Sequence, residues 1–285
     1  MVKLEGDNLI FISTALYCEA KIFIEKFKLK KDNLIHKFQV FKSKDIILII
    51  SGVGEVNSVA ASVFILSKFS NSKKDIFINI GVCGTINKSF KKGDLFICNK
   101  VINGTNKKIF YPDLIYPHNF RETSLESFSK VLNNKDNLSI EGNLIDMEGA
   151  FLFEGVSIFL SLENIFLLKI VSDYLDGEQI NKDFVLKIIG ENIDIISKWI
   201  LNLEKYTIDE DQILSNIDVK EIETISDNLK LTVTMKNNLL KLSKKYKVRN
   251  DDLENILFSF QNVRCKSKLE RGDTFEVLVR KLESI

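Results

Sequence analysis

The sequence predicts an α/β fold, a largely parallel sheet with helices on its faces, followed by a small helical extension. Three observations predict it. Apolar runs of strand length recur between residues 8 and 171 and alternate with segments long enough for helices. Several of these runs end in a small residue or a carboxylate, as strands do where a parallel sheet holds its ligands. Residues 165–171 are almost wholly apolar, the mark of a strand buried on both faces.

Residues 8–13 read as a short buried strand and 15–27 as the helix after it. Residues 35–41 alternate loosely. Residues 46–50 form an apolar strand that ends at Ser51-Gly52-Val53-Gly54, where the glycine pair permits a tight turn into a helix. That helix, 55–69, is expected to present Val56, Val59, Ala60, Val63 and Ser67 as its packed face. Residues 76–80 make the next strand, closed by a turn at Gly81-Val82-Cys83-Gly84. Lys91-Lys92-Gly93-Asp94 leads into a strand over 95–102. Residues 104–122 are the least regular, 124–132 read as a helix, and 137–140 as the one strand candidate of that region. A run ending at Asp146, a buried helix over 151–162 and the 165–171 strand make a strand–helix–strand unit. Over 184–203, Val185, Ile188, Ile189, Ile193, Ile196, Ile200 and Leu203 share one helical face.

Composition changes near Tyr206, so the chain is divided into an α/β domain, 1–205, and a helical extension, 206–285. Three helices are expected in the extension, near 235–246, 251–263 and 273–282, with 229–233 as the only strand-like run. Asp251 with Glu254 and Asp273 with Glu276 have capping-box spacing. With 14 basic and 14 acidic residues from 206 onward, the extension is no polybasic arm. Two basic clusters stand out, Lys241 to Arg249 and Arg264 to Arg271, and residues 242–248 followed by a helix faintly resemble a helix-turn-helix, but Asp251, Asp252 and Glu254 would repel phosphates. Nucleic acid is therefore not expected, and a protein partner for residues 206–285 is.

The hydrophobic fraction of 45% and charged fraction of 28% are those of a globular chain, and a net charge of +1 gives no reason for a polyanionic partner. Four cysteines without paired spacing and only two histidines argue against a disulfide framework or a zinc site. No apolar run reaches the ~18 residues of a membrane span, and the N-terminus lacks a signal-peptide pattern. A cytoplasmic protein with no metal, no cofactor and no membrane partner is expected.

The chemistry converges on two strand ends, Leu144-Ile145-Asp146-Met147-Glu148-Gly149-Ala150 and Lys169-Ile170-Val171-Ser172-Asp173. In each an apolar run ends in a carboxylate before a helical pattern, so Glu148 and Asp173 are expected to face one crevice. Each has a plainer reading. Asp173 alone is a turn residue or helix cap. Glu148 alone is a first-turn carboxylate that suits the helix dipole. Met147 alone is core, Glu19 an ordinary surface residue, and Gly81 or Gly84 a turn former.

Taken together, the Asp-Met-Glu-Gly-Ala and Val-Ser-Asp segments resemble the nucleoside phosphorylase superfamily, most of all its methylthioadenosine/S-adenosylhomocysteine nucleosidases. Thr14-Ala15-Leu16-Tyr17-Cys18-Glu19, Ser51-Gly52-Val53-Gly54-Glu55-Val56-Asn57, Asn79-Ile80-Gly81-Val82-Cys83-Gly84 and Lys92-Gly93-Asp94 are similar to further landmarks of that family, in the same order. The resemblance implies a three-layer phosphorylase-like fold around a central mixed, largely parallel twisted sheet. It also implies cleavage of the N-glycosidic bond of a purine nucleoside or thionucleoside, in a homodimer. Glu148 would take the ribose hydroxyls and Met147 pack on the sugar. Asp173 would be the acid at purine N7, oriented by Ser172, and Glu19 the base for water. Gly81, Val82 and Cys83 would line the substrate.

The chain departs from the family pattern in three places. Val82 and Cys83 replace a Ser-Ala pair, Lys169 stands where many relatives have Arg, and 93–146 lacks a recognisable purine loop. Phe110, Tyr111, Tyr116, His118 and Phe120 are candidates for a substitute aromatic wall. Hydrolysis is preferred over phosphorolysis because no Arg precedes Arg121 and Glu19 would repel phosphate. The alternatives are a phosphate-dependent enzyme, with Lys21, Lys42 and Lys44 as candidate phosphate ligands, or a catalytically reduced nucleoside-binding protein.

Overall fold

A computed structural model describes residues 8–70, 72, 74–132, 139–178, 180–203, 213–250 and 252–283. The chain divides into two compact units, Met1–Tyr206 and Thr207–Ile285.

In the first unit, β1 (Ile10–Thr14), α1 (Tyr17–Lys26), β2 (Lys30–Lys31), β3 (Gln39–Lys42), β4 (Ile46–Ile50) and α2 (Glu55–Phe69) precede the long β5 (Ile76–Thr85). Then come β6 (Leu95–Asn103), β7 (Ile109–Phe110), β8 (Arg121–Ser127), β9 (Leu144–Asp146), α3 (Gly149–Val156), β10 (Ile165–Asp173) and α4 (Lys182–Leu203). Strands β4, β1, β5 and β10 are neighbours and mutually parallel, with β3 and β2 added antiparallel at the β4 edge. Beyond β10 the sheet curls through β6, β8 and β9 and returns to β5, closing a five-stranded ring. The mixed sheet follows the expectation; the ring closure was not foreseen.

Alternation along each strand sends side chains to two cores. In β10, Ile165, Leu167 and Val171 join one core, and Phe166, Leu168 and Ile170 the other. Residues of α2 and α3 complete the first and residues of α1 and α4 the second, which gives three layers. Val185, Ile188, Ile189, Ile196, Ile200 and Leu203 of α4 are buried as the helical pattern requires.

Several boundaries differ from expectation. Gly81 to Gly84 is not a turn but the second half of β5, paired throughout with β10. Residues 121–127 are strand β8, where a helix was expected over 124–132, because the segment pairs in parallel with both β6 and β9. Its Glu126, which broke the apolar pattern, is buried and accepts from Lys107 Nζ at 2.6 Å and Glu141 N at 2.7 Å. The 137–140 strand falls partly outside the described residues, and 139–140 is irregular. The buried face of α2 is Ser58, Ala61, Ser62, Ile65 and Leu66, whereas Val56 is exposed. Helix α3 stops at Val156, well short of residue 162.

The second unit holds α5 (Asn216–Asn228), α6 (Val233–Arg249), α7 (Leu253–Phe260) and α8 (Lys268–Glu283) around their own core, with Ile222, Ile225, Leu239, Leu257 and Leu278 at its centre. Helix α5 was missed. Residues 229–232 are a helix-to-helix turn with Lys230 left-handed (φ 54°), and Val233 opens α6, so 229–233 is not a strand. Asp273 lies inside α8; Ser267 and Glu270 form its start, with Glu270 N donating to Ser267 Oγ and Lys266 N to Glu270. Asp251 lies outside the described residues.

Candidate active site

Because β1, β4, β5 and β10 are parallel, their C-terminal ends share one edge, and the predicted residues sit there. Glu19, in the first turn of α1, is only 2% exposed, not a surface residue. Its Oε2 accepts from Ala15 N (2.9 Å) and Leu16 N (2.8 Å), closing the start of its own helix. Its Oε1 reaches the next strand and accepts from Val82 N at 2.9 Å. Burial raises its proton affinity above that of a free carboxyl, and the amides and Lys169 offset only part of this. A Cβ on Gly81 would lie 3.0 Å from Glu19 Oε1, so the bare backbone at Gly81 is what lets the carboxylate in.

Glu148 caps α3 from the end of β9 and is buried. Its Oε1 accepts from Gly54 N at 2.7 Å and its Oε2 from Met147 N at 3.3 Å. Gly54 has φ 96°, a conformation that favours glycine, and this aims its amide at the carboxylate. Burial and the neighbouring Asp146 charge push Glu148 up to about 7, against the pull of Lys169 and the Gly54 amide. Met147, beside it, is half-buried.

Asp173 ends β10 and is partly exposed. Its Oδ1 accepts from Leu175 N at 2.9 Å, and Ser172 Oγ lies 2.7 Å from its Oδ2. The same hydroxyl lies 3.0 Å from Cys83 O, so its single proton serves one acceptor at a time. Asp173 pairs in register with Gly84, and Gly84 pairs with Ile145 on its other side. With strands about 4.8 Å apart, Asp173 and the segment leading to Glu148 flank the same stretch of β5. Val82 is half-buried; Cys83 is buried, its thiol pushed well up by burial.

Sequence reasoning missed the polar network beneath these residues. Lys169 and Asp146 form an ion pair at 2.7 Å with both side chains almost fully buried. Lys169 Nζ also donates to Asn79 Oδ1 at 2.6 Å. Asp146 further accepts from Ser127 Oγ and from Gly149 N at 2.9 Å. The available signal was a second carboxylate two residues before Glu148. Leu175 was also missed; it is left-handed (φ 57°) and packs with Phe128, Leu132 and Ile145 beside Asp173.

The proposed aromatic wall does not form as one surface. Tyr116 and Phe120 are core residues packed on Phe166 and Trp199, His118 stacks on Phe120, Phe110 packs on Phe153 in the opposite core, and Tyr111 is exposed. Between Gly93 and Asp146 the strand that the sequence did not reveal is β8, not 137–140.

A three-layer unit with a curled mixed sheet and carboxylates at its parallel strand ends has the fold of the phosphorylase superfamily, and residues 11–135 match the sequence model described as "Phosphorylase superfamily". More particularly, the chain is similar to 5'-methylthioadenosine/S-adenosylhomocysteine nucleosidases. It is 32% identical to the one from Staphylococcus aureus (strain bovine RF122 / ET3-1) over 62 residues, 22% of this chain and 26% of that protein. It is 33% identical to the one from Marinomonas sp. (strain MWYL1) over 63 residues, again 22% and 26%. The chain thus spans about a quarter of the length of these curated relatives. The Helicobacter pylori nucleosidase solved with butyl-thio-DADMe-Immucillin-A superposes with TM-score 0.59 at 16% identity, covering 70% of this chain and 100% of that one. A futalosine hydrolase mutant of Helicobacter pylori strain 26695 gives TM-score 0.59 at 15% identity, over 68% and 99%. At such identities the likeness establishes the fold.

Proposed function

We propose that this protein hydrolyses the N-glycosidic bond of a purine nucleoside or thionucleoside. The observation that carries this reading is the gathering of Glu19, Glu148 and Asp173 at one edge of the sheet, each held by main-chain amides. The reaction passes through an oxocarbenium-like sugar and needs a grip on the ribose, a proton for the departing base and an activated water. Glu148, once ionised, accepts both ribose hydroxyls, with Met147 against the sugar. Asp173, oriented by Ser172, donates to purine N7. Glu19, whose raised proton affinity makes it a stronger base, takes the proton from water. Gly81, Val82 and Cys83 form the floor of this site. The family resemblance supports a homodimer; the cytoplasmic location and the docking of a protein partner by residues 206–285 are read from the sequence itself, the helical unit having no counterpart in the family pattern.

Water is favoured over phosphate because Lys169, the one lysine or arginine buried among the described residues, is already paired with Asp146, and the Glu19 carboxylate would repel phosphate. The test is to incubate the protein with methylthioadenosine, S-adenosylhomocysteine, adenosine and inosine, with and without phosphate, and to measure free base. Release without phosphate is expected. Strict phosphate dependence assigns a phosphorylase instead, and nucleoside binding without release assigns a binding protein.

A further inference from the structure

We infer that the buried Asp146–Lys169 pair is a positioning device that sets the charge carried by Glu148 and Glu19 from behind the site, without touching the substrate. The inference rests on the roles proposed above for those two carboxylates, but its test needs no turnover.

Lys169 is the only lysine or arginine buried among the described residues. Two of its ammonium protons are taken by Asp146 Oδ2 and Asn79 Oδ1, and the residue is 1% exposed, so it is not available as a ligand. It pairs in register with Gly81, and neighbours in a parallel ladder project to the same face about 4.8 Å apart. The Glu19 carboxylate fills the space over Gly81, 3.0 Å from where a Cβ would stand, and so lies beside the root of the Lys169 side chain. On the other flank, Asp146 holds Lys169 and also accepts from Gly149 N, pinning the turn that carries Glu148. One cation therefore serves three carboxylates, one by contact and two through space.

The other titratable groups near Lys169 are Cys83 on β5 and Cys98 on β6. Burial pushes the Cys83 thiol well up and Cys98 to about 12, so both are neutral and leave the balance to the acids. Asp173 is felt by Cys83 in turn. The members of the pair act on Glu148 with opposite sign: the Asp146 charge, with Glu19 beyond it, favours its protonated form, and the Lys169 charge opposes it. This fixes a signed pattern for substitutions, which a merely structural pair would not produce.

The experiment is a carboxyl infrared titration of the full chain, with the Glu148 band assigned by its loss in Glu148→Gln. Lys169→Met is expected to move the Glu148 midpoint up and Asp146→Asn to move it down, each by about one unit. Lys169→Arg should leave it in place. The double variant should fall between the two single variants. Because Lys169→Met leaves Asp146 buried without its counter-ion, Asp146→Asn and Lys169→Arg decide the matter if it fails to fold. A midpoint unmoved in folded Asp146→Asn, or moved upward, overturns the inference. Failure of base release with the signed pattern intact overturns the nucleosidase reading and leaves this inference standing.

Discussion

Gly84→Ala probes the proposed acid without changing it. Gly84 lies under the loop that follows Asp173, and an added Cβ would stand 2.3 Å from Leu175 Cδ2 and 3.0 Å from Asp173 Oδ1. Ordinary carbon contacts are about 3.5–4.0 Å, so the Leu175 tip must retreat by more than about 1 Å. Leu175 has little room to swing, because its side chain is buried against Phe128, Leu132 and Ile145 and its N–H ties the loop to Asp173 Oδ1 at 2.9 Å. Overpacking of this kind costs about 1–3 kcal/mol, and the low end applies where a loop can give. The functional effect should be larger, since a misplacement of about 1 Å at a reacting group costs about 10²-fold in rate. The assay is kcat/KM for base release beside thermal unfolding. Gly190→Ala is the control: it lies in α4 with nothing within 4 Å of the added methyl, and should gain about 0.5–1 kcal/mol of stability at unchanged activity. Full activity in folded Gly84→Ala would refute the reasoning, because the carboxyl would then not act where this loop holds it.

Glu148 has an ordinary value of 4.5 and is raised to about 7 in the fold. The folded state therefore holds the proton longer, and stability falls as pH rises across that interval, by up to about 3 kcal/mol. Glu148→Gln should flatten the slope, gaining on wild type in denaturant titrations between about pH 5 and about pH 8; an unchanged slope rejects the assignment. Glu19→Gln should keep nucleoside affinity but lower kcat by about 10²–10⁴-fold, read by equilibrium binding beside turnover. Asp218, buried in the helical unit, accepts from Ser215 N and Lys247 Nζ. Burial pushes its carboxyl up, but those donors outweigh it and hold it below the ordinary 3.8, so its contribution is present above that value and lost as pH falls. Asp218→Ala should cost about 1–3 kcal/mol in unfolding of the full chain while base release is unchanged.

The strands buried on both faces were legible because an apolar run has few other solutions, and β4, β5, β10 and the amphipathic α4 were found on that ground. Strand β8 was not, because Glu126 is satisfied by partners remote in sequence, Lys107 and the 141–142 amides. The same non-local logic hid the burial of Lys169, whose strand pattern demands an apolar residue and whose counter-ion comes from β9. Helix α5 was hidden by its acidic stretch, although Ser215 with Asp218 forms its cap. Among the candidate site residues, Glu148 and Asp173 were visible as carboxylates closing apolar runs. Glu19 was visible only through resemblance, because burial of a first-turn glutamate depends on the bare Gly81 opposite it.

The most direct measurement is a crystal structure with a non-hydrolysable thionucleoside analogue. Both ribose hydroxyls are expected within about 2.6–3.2 Å of Glu148, purine N7 at the same reach from Asp173, and a water between Glu19 and the anomeric carbon. An analogue bound away from these three carboxylates, or packed side chains filling the space between them, would contradict this arrangement.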